Sequence, residues 1–209
     1  MATQAADTKA RRYDPAETRQ RVLEAANLLF ATKGYVATGT ADIARAADVS
    51  EGSIFYHFGS KKNLLAAIGR MYGERMIAVM EGPDMLADLE PGAMIARCVD
   101  FCVEHREWKT LTGGACAEAS PKAMMHSDAE PFYHAARDTT VAWAAAQLEA
   151  SLAKRGVGGI DVPCAASFTY AIVGEAIEAV LGSDDPAKRG AVIAEATRFV
   201  RAACGYPPA

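Results

Sequence analysis

The 209-residue sequence predicts an all-α fold, a small N-terminal helical unit joined to a larger helical part, about nine helices in all. Three observations predict it. Apolar residues recur every three or four positions through most of the chain. Helix-start and helix-stop residues punctuate it at short intervals. No stretch alternates apolar and polar residues for long enough to make a sheet.

Taken in order, residues 1–13 are polar, lack apolar periodicity and read as a flexible arm. Asp14-Pro15-Ala16-Glu17 is a helix start, with an acidic N-cap, proline at the first helical position and an acid near the positive helix end. Val22, Leu23, Ala26, Leu29 and Phe30 follow at helical spacing, and Gly34 closes the helix. Thr40 reads as the cap of a short second helix carrying Ile43, Ala44 and Ala47. Ser50 caps a third short helix that runs through Phe58 to Gly59. Ser60 caps a fourth, which starts Lys61-Lys62 and continues to about Glu81 before Gly82-Pro83. Later helices are expected from Pro91 to His105, around Glu107 to Glu118, and from Glu130 to Arg155 with Gly156 as its stop. Two more run from Pro163 to Gly182 and from Asp185-Pro186 to near Gly205.

Composition narrows the classes. A hydrophobic share of 51% supplies a core, and Pro and Gly are too sparse for a disordered chain. No wholly apolar run reaches the roughly 18 residues of a membrane span; Glu175 and Glu178 interrupt the most apolar stretch. Asp7, Lys9, Arg11 and Arg12 stand where a signal peptide would be apolar, so a cytoplasmic address without a membrane is expected. The five cysteines show no disulfide-framework spacing and read as small buried hydrophobes. Net charge is −4, but residues 1–62 carry nine Lys or Arg against seven Asp or Glu. A mildly basic end on an acidic bulk fits nucleic-acid contact through one module.

Thr40 to Phe58 reads as a helix-turn-helix within a domain of residues 14–60. Ile43, Ala44, Ala47, Val49, Ile54 and Phe58 fall on the inner faces of two steeply crossing helices, and the alanines let the axes approach. Asp48 sits at the turn, where Asp tolerates a left-handed backbone better than most residues. Glu51, Gly52, Ser53, Tyr56 and His57 are left outward, small or hydrogen-bonding groups suited to a major groove.

Thr18 to Phe30, Lys33-Gly34-Tyr35, Ala37-Thr38, Thr40, Asp42-Ile43-Ala44, Ala47, Val49-Ser50, Gly52 to Phe58, Ser60-Lys61 and Leu64-Leu65 together resemble the DNA-binding domain of the TetR/AcrR family, almost continuously over residues 18–68. The resemblance implies a DNA-contacting set of Thr40, Ser50, Glu51, Gly52, Ser53, Tyr56, His57 and Lys61. Thr40 would bind phosphate through its hydroxyl and its helix N-terminus. Ser53 and Tyr56 would face bases and backbone, and His57 phosphate. Lys61 would hold a phosphate as a point charge, and Gly52 would allow close approach. Glu51 stands where the family more often has a neutral or basic residue; it either accepts from cytosine N4 or is a solvated acid near a helix N-terminus.

The same resemblance implies that residues 61–209 form a ligand-binding and dimerisation domain. The last two helices are rich in alanine and glycine, which suits a homodimer built through them. Candidate ligand-binding residues are Phe101, Trp108, Glu118, Tyr133, Trp143, Phe168 and Glu175, with Phe132 and Tyr170 adding aromatic surface. Each also has an ordinary role open to it, in the core for the aromatics and on an exposed helix face for the acids. Cys98, Cys102 and His105 share one helix face, either as core residues or as the seed of a metal or thiol-sensing site, with no fourth ligand evident. No metal or cofactor is expected.

The function that follows is a ligand-responsive transcriptional regulator, a repressor that holds a near-palindromic operator as a dimer and is released by a small molecule. An activator of the same fold, a helical adaptor and an enzyme are the alternatives. The four histidines accompany no nucleophile elbow, zinc-protease helix or phosphate loop, so no enzyme is expected.

Overall fold

A computed structural model describes residues 14–81, 90–104, 128–183 and 185–207. Among the described residues the chain is eight helices with no strand: α1 (Pro15–Lys33), α2 (Thr40–Ala47), α3 (Glu51–Phe58), α4 (Lys61–Glu81), α5 (Pro91–Glu104), α6 (Glu130–Arg155), α7 (Val162–Leu181) and α8 (Pro186–Ala203). The arm at 1–13 and the helix expected near 107–118 lie outside the described residues.

Local signals account for most helix ends. The Asp14 carboxylate accepts from the backbone N–H groups of Ala16 (2.8 Å) and Glu17 (3.3 Å), which α1 leaves unpartnered. Ser50, Ser60, Asp161 and Asp185 cap α3, α4, α7 and α8 in the same way. One expected cap is displaced. Gly39, not Thr40, precedes α2, and the Asp42 carboxylate reaches back to accept from the Gly39 N–H at 3.4 Å. Thr40 is thereby inside the first turn, with its hydroxyl free to point elsewhere.

Packing divides the apolar residues into contiguous cores. The N-terminal core joins Val22, Phe30, Ile43, Ile54 and Phe58 to Leu64, Leu65 and Ile68 of α4. The head's core therefore reaches eight residues past the 60/61 boundary drawn from sequence, and α4 serves both units. A second core gathers Ile95 and Val99 of α5, Leu148 and Leu152 of α6, Val180 of α7 and Val200 of α8. Between them Met76, Met80 and Cys98 are buried beside Tyr72, Phe101 and Trp143.

The joint between head and body is a close helix pair. A Cβ placed on Gly69 of α4 would lie 2.2 Å from the carbonyl oxygen of Phe132, and one on Gly73 would lie 2.9 Å from that of Ala136. Only glycine lets α4 and α6 come this near. Phe132, expected among the aromatic surface of the body, instead plugs into the core of the head. At the far end Arg155 donates to the carbonyls of Cys204 and Gly205, both at 2.8 Å, and stacks over Tyr206. It thus satisfies acceptors at the end of α8. By length and composition α7 alone among the described helices is apolar enough to cross a membrane. It nevertheless packs Ala165, Ala176 and Val180 into the second core.

Candidate nucleic-acid interface

The α2–α3 turn is rigid for identifiable reasons. Asp48 adopts φ +53°, ψ +53°, the left-handed conformation its position demanded. Arg21 of α1 donates to the carbonyls of Ala47 (3.0 Å) and Asp48 (3.3 Å), which ties the turn to the first helix. Ile54 is wholly buried and Phe58 nearly so, with the Arg19 guanidinium 5.2 Å above the Phe58 ring. One side of α3 is therefore anchored, and the other is presented.

On the presented side Tyr56 is 78% exposed, Glu51 and Gly52 are exposed, and Ser53 and His57 are half-buried. The Tyr56 and His57 rings meet edge-on, with centroids 5.0 Å apart. The Ser53 hydroxyl lies 2.8 Å from that of Ser50, and the Ser50 oxygen also accepts from the Ser53 N–H at 3.2 Å. Ser50 is thus committed to capping α3. Sequence reasoning missed Phe55, which is 48% exposed. Its position four residues after Glu51 places it on the same side of the helix and was the available signal. Arg45 of α2, 79% exposed and 3.3 Å from Asp42, was missed as well.

Two of the expected contacts look different in place. Lys61 is no free point charge: its ammonium donates to the carbonyls of Tyr35 and Thr38, both at 2.8 Å, and sits 4.3 Å from the Tyr35 ring centre. Two of its three N–H donors thus hold the α1–α2 loop, because the start of α4 lies directly under that loop. Thr40, the expected phosphate ligand, donates its hydroxyl to the Glu51 carboxylate. Glu51 thus stays exposed near its helix N-terminus and has a partner in Thr40.

The body gathers some of the ligand candidates and disperses others. Phe101, Tyr133 and Trp143 are half-buried, and the Trp143 indole N–H donates to Glu81 at 2.9 Å. Tyr72 lies beside them, with ring centres 6.5 Å from Phe101 and 5.6 Å from Phe132. Burial holds the Tyr72 and Tyr170 hydroxyls well above the usual tyrosine range. Two candidates are on the wrong face, since Phe168 is 63% exposed and Glu175 is exposed as well. The inner face of α7 is occupied by Ala165, Ala166, Thr169 and Ala176, which turns positions 168 and 175 outward. Trp108 and Glu118 lie outside the described residues.

A cleft between α5, α6, α7 and α8, lined in part by Met94, Trp143, Leu148 and Thr169, has a cavity volume of about 60 Å³. That is far below the roughly 300–1,000 Å³ of a drug-sized site. Burial pushes the Cys98 thiol up to about 12, which disfavours the thiolate that sensing chemistry needs. Among the described residues no cluster of three metal-ligating side chains forms, and His105 lies outside them.

Comparison with known proteins agrees with this geometry. The family model for bacterial regulatory proteins of the tetR family matches residues 22–68. The HTH-type transcriptional repressor AcnR of Corynebacterium glutamicum is 39% identical over 66 residues, 32% of this chain and 35% of AcnR. The chain spans about a quarter to a half of the length of the curated relatives it matches. Solved structures extend the likeness of fold to the body. Salmonella enterica GusR superposes with a TM-score of 0.62 at 21% identity, over 93% of this chain and 99% of that one. The multidrug binding protein EbrR, solved in complex with imidazole, gives 0.58 at 24% identity, over 87% and 93%. Residues 22–68 therefore carry a helix-turn-helix domain that matches the tetR family in sequence, and the helical body matches the solved structures in fold.

Proposed function

We propose that the protein is a ligand-responsive transcriptional repressor of the cytoplasm, which binds a near-palindromic operator as a homodimer and leaves it when a small molecule occupies the body. The observation that carries this reading is the polar, exposed side of α3, bearing Tyr56 and His57, on a helix whose other side is buried and whose turn is pinned by Arg21. A surface helix this firmly held pays little ordering entropy on entering a groove.

One short helix reads only a few base pairs. Two of them, about 34–36 Å apart or a multiple of that, read both halves of a palindrome. The exposed aromatic side chains of Phe168 on α7 and Phe199 on α8 supply the apolar surface for such a pairing. Tyr56, His57 and Ser53 would meet bases and backbone. Lys61 would contribute its remaining N–H to phosphate while holding the loop.

Tyr72, Phe101 and Trp143 gather in an aromatic interior suited to an apolar, hydrogen-bonding effector. That EbrR is described as a multidrug binding protein supports a ligand-binding body here. Bound effector acts only by favouring the head arrangement that does not fit DNA. Binding to duplex DNA from the neighbouring intergenic region, followed by fluorescence anisotropy across a salt series, tests the proposal. Affinity should fall steeply as salt rises, by about 0.9 log unit per phosphate contact per log unit of salt. Salt-insensitive or absent binding would refute it.

A further inference from the structure

We propose that Glu51 is a specificity-determining residue that accepts a hydrogen bond from the N4 amino group of a cytosine in each half-site. In doing so it releases Thr40 to grip phosphate. The inference rests on the DNA-binding reading above and names the base that the reading leaves open.

Three observations meet at this point. Glu51 opens α3 on its exposed side, next to Gly52, where an added Cβ would meet nothing nearer than the Ser50 hydroxyl at 3.7 Å. Glu51 itself is exposed, so its carboxylate has room on the solvent side of the helix. Thr40 lies in the first turn of α2 and donates its hydroxyl to that carboxylate, across eleven residues of sequence. A threonine hydroxyl has a single proton to donate. Thr40 thus serves Glu51 or a phosphate oxygen, never both.

The chemistry then selects the base. An ionised carboxylate only accepts, and against a polyanion it is repelled unless a donor meets it. In the major groove the donors are the amino groups of cytosine and adenine. The adenine N6 is flanked by two acceptors, its own N7 and the O4 of the paired thymine. The cytosine N4 has an acceptor on one side only, the guanine O6, so a carboxylate approaches it with less repulsion. With cytosine present, Glu51 turns into the groove and Thr40 turns to the backbone. With any other base, Glu51 stays on Thr40, the hydroxyl is withheld and the carboxylate faces phosphate. One exchange of partners makes the backbone grip conditional on the base.

The test is enrichment of bound duplexes from a pool randomised over the site, using the full-length protein and its Glu51→Ala, Glu51→Gln and Thr40→Val variants. The wild-type protein should enrich a palindrome with cytosine at one fixed position in each half. Glu51→Ala should keep the other positions, lose that preference by about tenfold and bind scrambled duplex several-fold more tightly. Glu51→Gln should move the position towards adenine, with which an amide pairs. Thr40→Val should weaken binding to the selected duplex and narrow the preference for cytosine without abolishing it, because the direct contact of Glu51 with the base remains. Retention of the cytosine by Glu51→Ala, with unchanged affinity for scrambled duplex, overturns the assignment. Failure of the wild-type protein to enrich any palindrome overturns the DNA-binding reading itself.

Discussion

Asp48 shows how one residue holds the interface in place. Its left-handed backbone, φ +53°, turns the chain from α2 into α3, and Arg21 clamps the carbonyls on either side. A β-branched residue fits this conformation poorly. Asp48→Val should cost about 1–2 kcal/mol in urea denaturation, and Asp48→Gly should stay within about 0.5 kcal/mol of the wild type. Cys98 makes a different prediction. Burial raises its thiol from the ordinary value of 9.0 to about 12, so above pH 9 the unfolded chain gives up a proton that the folded one keeps. This contribution to stability is whole below pH 9 and drains away as pH rises towards 12. The fall in melting temperature over that window should be shallower in Cys98→Ala than in the wild type. The same burial predicts that iodoacetamide leaves Cys98 unmodified at pH 8 in the folded protein.

Among the elements, α4 joins the head to the body. Its first half completes the core of the head, and its middle lies against α6 through Gly69 and Gly73. The atoms a Cβ at Gly69 would meet are backbone, the carbonyl oxygen and carbon of Phe132 at 2.2 and 2.9 Å, and these cannot rotate away. Gly69→Ala must part the helices, an overpacking cost of about 1–3 kcal/mol, offset by up to about 1 kcal/mol from replacing a helical glycine. A net loss of stability, larger than that for Gly73→Ala, should appear in thermal unfolding. The separation would also withdraw Phe132 from the head. Packed side chains thus connect the body to the core of the head at this joint.

For the whole molecule, the outward faces of α7 and α8 matter most. Phe168 is 63% exposed and Phe199 is 49% exposed, on helices that pack against one another. If two copies pair there, Phe168→Asp should leave the fold intact and convert the protein to monomers in sedimentation velocity. Operator affinity should then drop by roughly 100-fold or more, because each head binds its half-site alone. A dimer that survives this substitution would place the interface elsewhere.

The sequence by itself determined the eight described helices and, Phe55 apart, the side of α3 that faces outward. Caps such as Asp14-Pro15, Ser50 and Asp185-Pro186 act on N–H groups two or three residues away, and periodicity assigns faces without reference to neighbours. Tertiary structure alone decided what those side chains do. It took Lys61 from a free charge to a clamp on the Tyr35 and Thr38 carbonyls, and it gave Thr40 and Glu51 to each other. It also moved Phe132 into the head and turned Phe168 away from any interior. Each of these outcomes depends on segments distant in the chain arriving at the same place, and helix propensity, a sum over near neighbours, carries no information about which segments will meet.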